Sequence, residues 1–335
     1  MVRLGLPNTY YGKIPMKQTL RILAATAAAG ALALTACGNP DTEPGTDGAT
    51  SPAAEAISVD HTQGTVELNG PASKIVVLDW GSLDTLGALG VAESVVGVPK
   101  ATNVPEVVST YAGDNTTDVG TLQEPNFEAI AALQPDLIVA GFRSAKHVPE
   151  LNKIAPTVDI TYDYAEGFYD GVEYATEILA EATGTEEKAE TELKELEDAI
   201  AAAKDKAPTD KNAMVLMTSG GKVSVHGTQS RYNAIFDDLG FEPTISDVEA
   251  EAHGDAISFE AIQQANPDLL FVVDRDAAIG EEGTAAEQVL DNELMATTTA
   301  WKNQDVIYLD GQRWYILIHG VDSAVEMINQ VANEL

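Results

Sequence analysis

The chain has 335 residues, with 53 acidic side chains against 19 basic ones, and carries a net charge of −34 at neutral pH. A field of this sign disfavours nucleic acid as a partner and disfavours direct contact with anionic lipid head groups. Cys37 is the only cysteine, so no disulfide can form within the chain.

The amino-terminal segment has the pattern of an export signal. A basic segment precedes an apolar stretch over residues 22–34, which ends in Leu-Thr-Ala-Cys. This stretch is shorter than the roughly 20 residues that a transmembrane helix needs. It predicts a signal peptide over residues 1–36, with translation starting at Met1 or Met16. The tetrapeptide resembles the lipobox of bacterial lipoproteins, which implies lipidation of Cys37; a cysteine placed there by chance is the alternative.

Residues 37–56 are rich in Pro, Gly, Thr and acids, so we predict a disordered tether. The lipid would then hold the chain on the outer face of the cell membrane, outside the cytoplasm. Loss of residues 1–36 leaves 15 basic side chains against 53 acidic ones, a net charge of −38. An anionic ligand is repelled at long range by this charge, so its site must be locally rich in arginine.

Strand and helix patterns alternate from residue 57 to residue 183, which we predict to be an N-terminal lobe. Polar and apolar residues alternate over 59–68 as in an edge strand, 74–79 reads as a buried strand, and 82–90 has a helical pattern. The same order returns in the second half of the chain. Alternating strands and helices indicate an α/β chain with parallel sheets, and about 280 ordered residues fit two such lobes.

One seventeen-residue phrase occurs twice, at 127–143 and at 259–275, and eight of its positions are identical. Each copy predicts an amphipathic helix, a break at Pro-Asp and a strand buried on both faces. Arg143 and Arg275 then stand just past the carboxyl ends of the two strands, where open α/β sheets place their ligand crevice. Two similar lobes that offer arginines to one crevice predict the capture of an anion.

Residues 184–208 favour a helix throughout, with Thr185 as its cap and Pro208 at its end. About 20 residues of helix span roughly 30 Å. We interpret this segment as one stiff helix that joins two Rossmann-like lobes with a ligand cleft between them; an ordinary surface helix is the alternative. Residues 209–335 then form the C-terminal lobe.

The export signal, the duplicated lobes and the linking helix resemble the helical-backbone (class III) substrate-binding lipoproteins of ABC importers for iron siderophores and vitamin B12. The segments SGGKVSVHGTQSRYNAIFDDLGF, AHGDAISFEAI and DVIYLDGQRWY are similar to the petrobactin- and catecholate-siderophore-binding subgroup. This resemblance implies a monomeric receptor that binds a ferric siderophore and delivers it to an ABC permease. No cofactor is then permanently bound, and ferric iron is cargo within the siderophore.

The resemblance also implies roles for individual residues. Three arginines face the cleft in that subgroup, and the matching positions are Arg143, Arg231 and Arg275. A histidine and a tyrosine complete the coordination of ferric iron when the siderophore is tetradentate, and here they match His253 and Tyr315.

One acid on each lobe docks against permease arginines in these importers, which implies that role for Glu128 and Glu260. Their position in the first turn of a helix explains them equally well as helix-stabilising residues. Trp80 follows a predicted strand and is predicted to contact the ligand on position alone.

Guanidinium groups suit the charged oxygens and the rings of a ferric catecholate complex. Three of the four arginines beyond residue 36 fall at strand-end or loop positions. The alternative is that they form structural ion pairs in an acidic chain. We interpret the remaining histidines as structural or exposed: His61, His147, His226 and His319.

Enzymatic functions find little support, because the sequence contains no nucleophile elbow, phosphate-binding loop or zinc-protease motif. We therefore predict that the chain is not an enzyme. A receptor for cobalamin, heme or a divalent metal ion remains an alternative, as does an exported hydrolase. Divalent metal capture needs three or four His, Asp or Glu ligands, and cobalamin or heme would favour an aromatic cleft, whereas only 6% of the residues are aromatic.

Overall fold

Thirteen strands are present in the computed structural model, which describes residues 56–248 and 253–335. The signal peptide, Cys37 and nearly all of the tether lie outside these described residues. In chain order the strands are β1 Ile57–His61, β2 Gly64–Leu68, β3 Ile75–Leu78, β4 Val95–Val98, β5 Thr117–Asp118, β6 Leu137–Ala140, β7 Thr157–Asp159, β8 Asn212–Ser219, β9 Lys222–His226, β10 Glu242–Pro243, β11 Asp255–Ala256, β12 Leu269–Asp274 and β13 Val306–Leu309.

Ten α-helices and several short helical turns connect the strands of this described part. The α-helices are α1 Trp80–Ala88, α2 Phe127–Leu133, α3 Val148–Leu151, α4 Phe168–Thr183, α5 Glu186–Lys206, α6 Phe259–Ala265, α7 Arg275–Ala278, α8 Ala286–Leu290, α9 Thr299–Asn303 and α10 Val321–Glu334. The shorter turns of 3-10 or π type are Ala92–Ser94, Glu106–Ala112, Ala145–His147, Tyr164–Glu166, Ala234–Asp238, Met295–Thr297 and Gln312–Ile316. Within the described ranges, no helix combines the length and the apolar composition that a membrane span requires.

The N-terminal lobe is built on a five-stranded parallel sheet in the order β5-β4-β3-β6-β7. Every residue of β3 and β6 is buried, as expected for strands covered by helices on both faces. The single edge strand predicted over 59–68 is instead the antiparallel hairpin of β1 and β2. Thr62 and Gln63 form its turn, and Gly64, with φ of +140°, starts the returning strand.

The C-terminal lobe has a six-stranded sheet in the order β11-β9-β8-β12-β13, with β10 also paired to β8. Strands β8, β12 and β13 are parallel, whereas β9 and β11 are antiparallel to their neighbours. A two-residue turn joins β8 to β9, and Gly220 and Gly221 adopt the positive φ values that such a hairpin requires. The predicted α/β fold with parallel sheets is confirmed, and the C-terminal sheet adds an antiparallel edge to it.

The repeated phrase begins in the same way in both lobes. The side chains of Asn126 and Ser258 cap α2 and α6 by accepting hydrogen bonds from the third residue along. Each helix ends at a left-handed residue, Gln134 or Asn266, just before the Pro-Asp pair. Equivalent cap residues at both ends therefore give the two helices the same length, and the chain leaves each helix at the same position of the repeat.

The aspartate of each Pro-Asp pair anchors the chain that enters the neighbouring strand. Asp136 accepts hydrogen bonds from the backbone N–H groups of Ser73 and Lys74, just before β3. Asp268 accepts one from the backbone N–H of Asn212, the first residue of β8. The repeated aspartate thus helps to set the register between β6 and β3 in the first sheet and between β12 and β8 in the second.

The long helix α5 packs against α4 and against α10, the last helix of the chain. Its exposed side carries ion pairs spaced four residues apart, Lys188 with Glu192 and Lys194 with Asp198. Helix α10 also packs against α1 and α4, so the carboxyl terminus reaches helices of the N-terminal half. The exact domain boundaries on either side of α5 stay a prediction.

A buried polar junction joins α1 to the start of α10. Asp84 of α1 accepts hydrogen bonds from the backbone N–H of Ser323, at 2.8 Å, and from its hydroxyl, at 3.1 Å. Gly320 stands at the N-cap of α10 and has no side chain to offer, so the carboxylate of Asp84 serves that helix end. At the N-cap of α1, His319 donates from Nε2 to Oδ1 of the buried Asp79 at 2.7 Å.

We expect Asp84→Asn to stabilise the protein near neutral pH. Burial raises the pKa of Asp84 to about 6, although the hydrogen bonds from Ser323 oppose the rise. Because the folded state disfavours the ionised carboxylate, the free energy of unfolding falls as pH rises from about 4 to about 6. In the asparagine variant the amide oxygen can accept from the N–H of Ser323 and the amide nitrogen can donate to its hydroxyl oxygen. The variant lacks the penalty for ionisation, so it should gain roughly 1–3 kcal/mol near pH 7 and nothing near pH 4.

Urea denaturation across this pH range measures the effect, with Asp114→Asn on the exposed surface as the matched control. Parallel pH profiles for wild type and Asp84→Asn would contradict the prediction.

Candidate ligand-binding site

Three guanidinium groups converge on the ring of Tyr315. The distances from Cζ to the ring centroid are 5.8 Å for Arg143, 4.9 Å for Arg231 and 5.5 Å for Arg275. All three lie within the roughly 6 Å over which a cation is attracted to an aromatic face. The fold therefore brings together four residues that the sequence predicted as ligand contacts, and it takes them from both lobes.

Arg275 is held by side chains of the C-terminal lobe. It is the first residue of α7, directly after β12. Its Nε donates to the phenol oxygen of Tyr315 at 2.9 Å, and a terminal nitrogen donates to the hydroxyl of Ser219 at 3.2 Å. That hydroxyl donates in turn to the buried carboxylate of Asp276 at 3.0 Å. The guanidinium is thus oriented before any ligand arrives.

Arg143 follows β6 in a loop with an unusual backbone. Phe142 has a φ of +45°, and its N–H donates to the hydroxyl of Thr161 at 2.7 Å. On the other side of Arg143, the hydroxyl of Ser144 donates to the carbonyl of Leu78 at the end of β3, at 2.8 Å. The residues that flank Arg143 are therefore tied to the carboxyl ends of β3 and β7, the strands on either side of β6.

Arg231 lies between two aromatic rings that come from different lobes. One of its terminal nitrogens donates to the backbone carbonyl of Tyr315 at 3.1 Å. Its Cζ is 4.9 Å from the ring centroid of Tyr315 and 5.6 Å from that of Tyr164. Close by, the side-chain amide of Asn233 donates to the backbone carbonyl of Tyr164. This arginine thus stands where the two lobes touch.

The N-terminal lobe adds an aromatic group that the sequence did not predict. Phe142 stacks on Tyr164 with centroids 5.5 Å apart and planes 16° apart, and Tyr162 packs against both rings edge-on. His319 lies 4.6 Å from the ring of Phe142. The low aromatic content of the chain argued against an aromatic cleft, but several of its rings are concentrated here. The three rings from Phe142, Tyr162 and Tyr164 come from the segments that follow β6 and β7. Their positions just after predicted strands were the only indication in the sequence that they could lie near the site.

Arg313, the fourth arginine beyond residue 36, lies apart from this cluster. It pairs with Asp310, three residues earlier, at 2.7 Å. A structural ion pair, which was the alternative for the three predicted cleft arginines, is thus what Arg313 forms.

His253 is exposed and lies two residues before β11. Partial burial lowers its pKa, and the positive charges of Arg275, Arg231 and Arg143 lower it further. The histidine therefore belongs to the same electrostatic site as the three arginines. A lowered pKa keeps the imidazole neutral near pH 7, which is the form that can ligate a metal.

Tyr315 itself is only 4% exposed. It belongs to the short helix Gln312–Ile316, and its phenol oxygen already accepts the hydrogen bond from Arg275.

His226 is a second histidine of this region, which sequence analysis interpreted as structural or exposed. It is 2% exposed at the end of β9, and its ring nitrogens have no hydrogen-bond partner among the described residues. Burial lowers its pKa to about 3, helped by the charges of Arg231 and His253. Gly254, with φ of +70°, abuts this ring, since a Cβ there would lie 2.8 Å from Nε2. A neutral histidine therefore lies beneath the turn that carries His253.

The expected contact from Trp80 is not supported by its burial. The side chain is 3% exposed, at the first position of α1, and packs into the main hydrophobic core. A large apolar ring gains more from this packing than from a solvated cleft wall. We therefore leave Trp80 out of the proposed ligand contacts.

Glu128 and Glu260 occupy equivalent exposed positions at the second residues of α2 and α6. No hydrogen bond of either side chain is recorded within the described part of the chain. Each lobe therefore presents one carboxylate on its surface at the same place in its repeat.

A cavity of about 560 Å³ is also lined by both lobes, but it includes none of the clustered arginines. Glu106 of the N-terminal lobe and Gln312 and Arg313 of the C-terminal lobe border it. Its carboxylates at Asp274 and Asp310 already accept hydrogen bonds from neighbouring residues. The arginine cluster, where charge and aromatic rings converge, is the better candidate for the ligand site.

Known proteins share both the sequence pattern and the fold. Residues 75–313 match the periplasmic binding protein family. The petrobactin-binding protein YclQ of Bacillus subtilis is 38% identical over 310 residues, covering 91% of this chain and 95% of that protein. Its crystal structure matches with a TM-score of 0.79 over 84% of this chain and 98% of that chain.

Two further relatives extend the comparison. The ferric-anguibactin-binding protein FatB of Vibrio anguillarum is 31% identical over 322 residues, covering 94% of this chain and 98% of that protein. The crystal structure of the periplasmic catecholate-siderophore binding protein VctP of Vibrio cholerae matches with a TM-score of 0.77 and 32% identity, over 83% of this chain and 99% of that chain. All three relatives are named for binding siderophores or their ferric complexes.

Proposed function

The chain belongs to the periplasmic binding protein family, and we propose that it binds a ferric siderophore of the catecholate type and delivers it to an ABC permease. The resemblance predicted from the sequence is confirmed by the relatives, which are binding proteins rather than enzymes. One observation carries the proposal for this chain: Arg143, Arg231 and Arg275 meet at Tyr315 where the two lobes touch.

The charge of this cluster suits a ferric catecholate better than it suits a bare metal ion. Guanidinium groups donate strong hydrogen bonds to anionic oxygens and also attract aromatic faces. Three of them together make a local positive site in a strongly acidic chain. A divalent cation would be repelled by this site, whereas a polyanionic iron complex with aromatic arms matches both its charge and its rings.

His253 and Tyr315 are the proposed protein ligands of the iron when the siderophore is tetradentate. A neutral imidazole and a phenol oxygen are both able to bind ferric iron, which accepts nitrogen and hard oxygen donors. The charged guanidinium of Arg275 already donates to this phenol oxygen, and it would form an ion pair with an iron-bound phenolate.

We further propose that Cys37 is lipidated and holds a monomeric receptor at the outer face of the cell membrane through the tether. Glu128 and Glu260 would then dock on the two halves of the permease. Their equivalent positions, one on each lobe, fit a partner with two-fold symmetry.

Replacing any one of Arg143, Arg231 and Arg275 with Ala should weaken ferric-catecholate binding by roughly 1.5–3 kcal/mol, the range for hydrogen bonds to charged groups. Titration of intrinsic tryptophan fluorescence with the ferric complex measures the affinity. Arg313→Ala is the matched control, because that arginine pairs with Asp310 outside the cluster. Unchanged affinity in all three cluster variants, or an equal loss in the control, would refute the proposed site.

His253→Ala and Tyr315→Phe should weaken binding of tetradentate ferric complexes much more than that of hexadentate ones, which already fill the iron coordination shell. With a tetradentate ligand bound, the visible phenolate-to-iron charge-transfer band should disappear in Tyr315→Phe. A spectrum identical to that of wild type would exclude Tyr315 as an iron ligand.

The double variant Glu128→Ala/Glu260→Ala should keep ferric-siderophore affinity and thermal stability but lose iron uptake in cells. Both carboxylates are exposed, and each contributes only a few tenths of a kcal/mol as a first-turn helix residue. Uptake of radiolabelled ferric siderophore measures transport, and Glu124→Ala/Glu293→Ala serves as a control of equal charge. If uptake persists in the double variant, the two glutamates are not docking residues. The same conclusion follows if ligand binding is lost together with uptake.

A further inference from the structure

Phe142 and Tyr164 form a stacked aromatic pair, here called the aromatic wall, on the N-terminal side of the candidate site. Their planes differ by only 16°, with centroids 5.5 Å apart, and both side chains are half-buried. Tyr162 closes the back of the pair, with its ring edge-on to Phe142 at 5.3 Å. The wall is therefore a packed aromatic surface, and part of it stays exposed.

The backbone at Phe142 holds this wall in place at some energetic expense. A φ of +45° is rare for a bulky residue other than glycine, and such strain concentrates at functional positions. The N–H of Phe142 donates to the hydroxyl of Thr161, which donates in turn to the carboxylate of Asp159 at 2.5 Å. This conformation packs the Phe142 ring against Tyr164 and leads the chain directly into Arg143.

Tyr164 contacts Phe142 and also lies near the guanidinium of Arg231, whose Cζ is 5.6 Å from the Tyr164 ring centroid. On the C-terminal side, the ring of Tyr315 lies 4.9 Å from the same Cζ. Arg231 is thus held between a ring of each lobe.

The three arginines would attract any ferric polyanion, whether or not it carries rings. Charge alone therefore gives little selectivity between a catecholate complex and a carboxylate complex such as ferric dicitrate. An aromatic wall adds attraction only for ligands that have a ring to stack on it.

We propose that the aromatic wall selects ferric complexes whose arms are aromatic, by packing one such arm against the part of Phe142 and Tyr164 that stays exposed beside Arg231. This inference rests on the proposed function and names the ligand feature that the site distinguishes.

The test compares the variants Tyr164→Leu and Tyr164→Phe with wild type. Two ferric probes are titrated by fluorescence quenching: the complex of a synthetic tris-catecholamide, and ferric dicitrate, which has no rings. Tyr164→Leu should weaken tris-catecholate binding roughly three- to tenfold, the range expected for one aromatic contact, and leave ferric dicitrate binding unchanged. Tyr164→Phe keeps the ring and should behave as wild type for both probes.

Tyr169→Leu is the matched control, because Tyr169 is a partly exposed tyrosine on α4 that lies outside the wall. If Tyr164→Leu does not fold, as judged by its circular dichroism melt, Phe142→Leu decides the question with the same expected loss of selectivity.

The outcomes separate the inference from the proposed function. Equal weakening for both probes, or no weakening for either, would overturn the role of the wall even though wild type binds the ferric complexes. A loss of tris-catecholate binding in Tyr164→Phe would overturn it as well, because the hydroxyl rather than the ring would then carry the effect. Wild-type protein that binds neither probe would instead refute the proposed function.

Discussion

The site depends on the buried polar junction between α1 and the chain that enters α10. Asp79 is the N-cap of α1, and Asp84 lies within this helix. Asp79 accepts a hydrogen bond from His319, and Asp84 accepts one from the backbone N–H of Ser323. Burial acts to raise the pKa of Asp79, but the charge and hydrogen bond of His319, with the hydrogen bonds from Ser82, outweigh it and hold that pKa below its ordinary value. Loss of these hydrogen-bond donors would leave two buried carboxylates unsatisfied, which is strongly unfavourable. The junction therefore holds the carboxyl ends of both sheets at a distance from which arginines of both lobes reach one ring.

Arg143, Arg231 and Arg275 repel one another, and several of the groups that contact them are neutral. The ring and carbonyl of Tyr315, the ring of Tyr164 and the hydroxyl of Ser219 all contact guanidinium groups. Asp276 lies 3.7 Å from Arg275, but its oxygens are engaged by Ser219 and by the N–H of Gly220. Neutral acceptors such as Ser219 and Tyr315 orient Arg275, whereas Arg313 pairs directly with the carboxylate of Asp310.

The sequence could predict what depends on local pattern. The duplicated phrase predicted two equivalent helices and buried strands, and it placed Arg143 and Arg275 at strand ends that both lie near the ring of Tyr315. It could not reveal the aromatic wall or the buried His226, because these depend on which loops meet after β6, β7 and β9. Trp80 shows the converse limit: a strand-end position predicted a cleft residue, but the first turn of α1 directs its ring into the core. The Gly-Gly turn was visible in the sequence, although the alternation of strands and helices favoured a wholly parallel sheet.

The packing of α10 against α1 and α4 has a consequence for the order in which the protein can fold. Protein chains are synthesised from the amino terminus, and early domains generally fold as units while the rest is still being made. Here the first lobe lacks a covering helix, and Asp84 lacks its hydrogen-bond donors, until the final 14-residue helix is available. Native packing of the first half therefore requires residues 321–334. The two lobes share a repeated phrase, yet the packing of the first is completed by a helix that follows the second sheet.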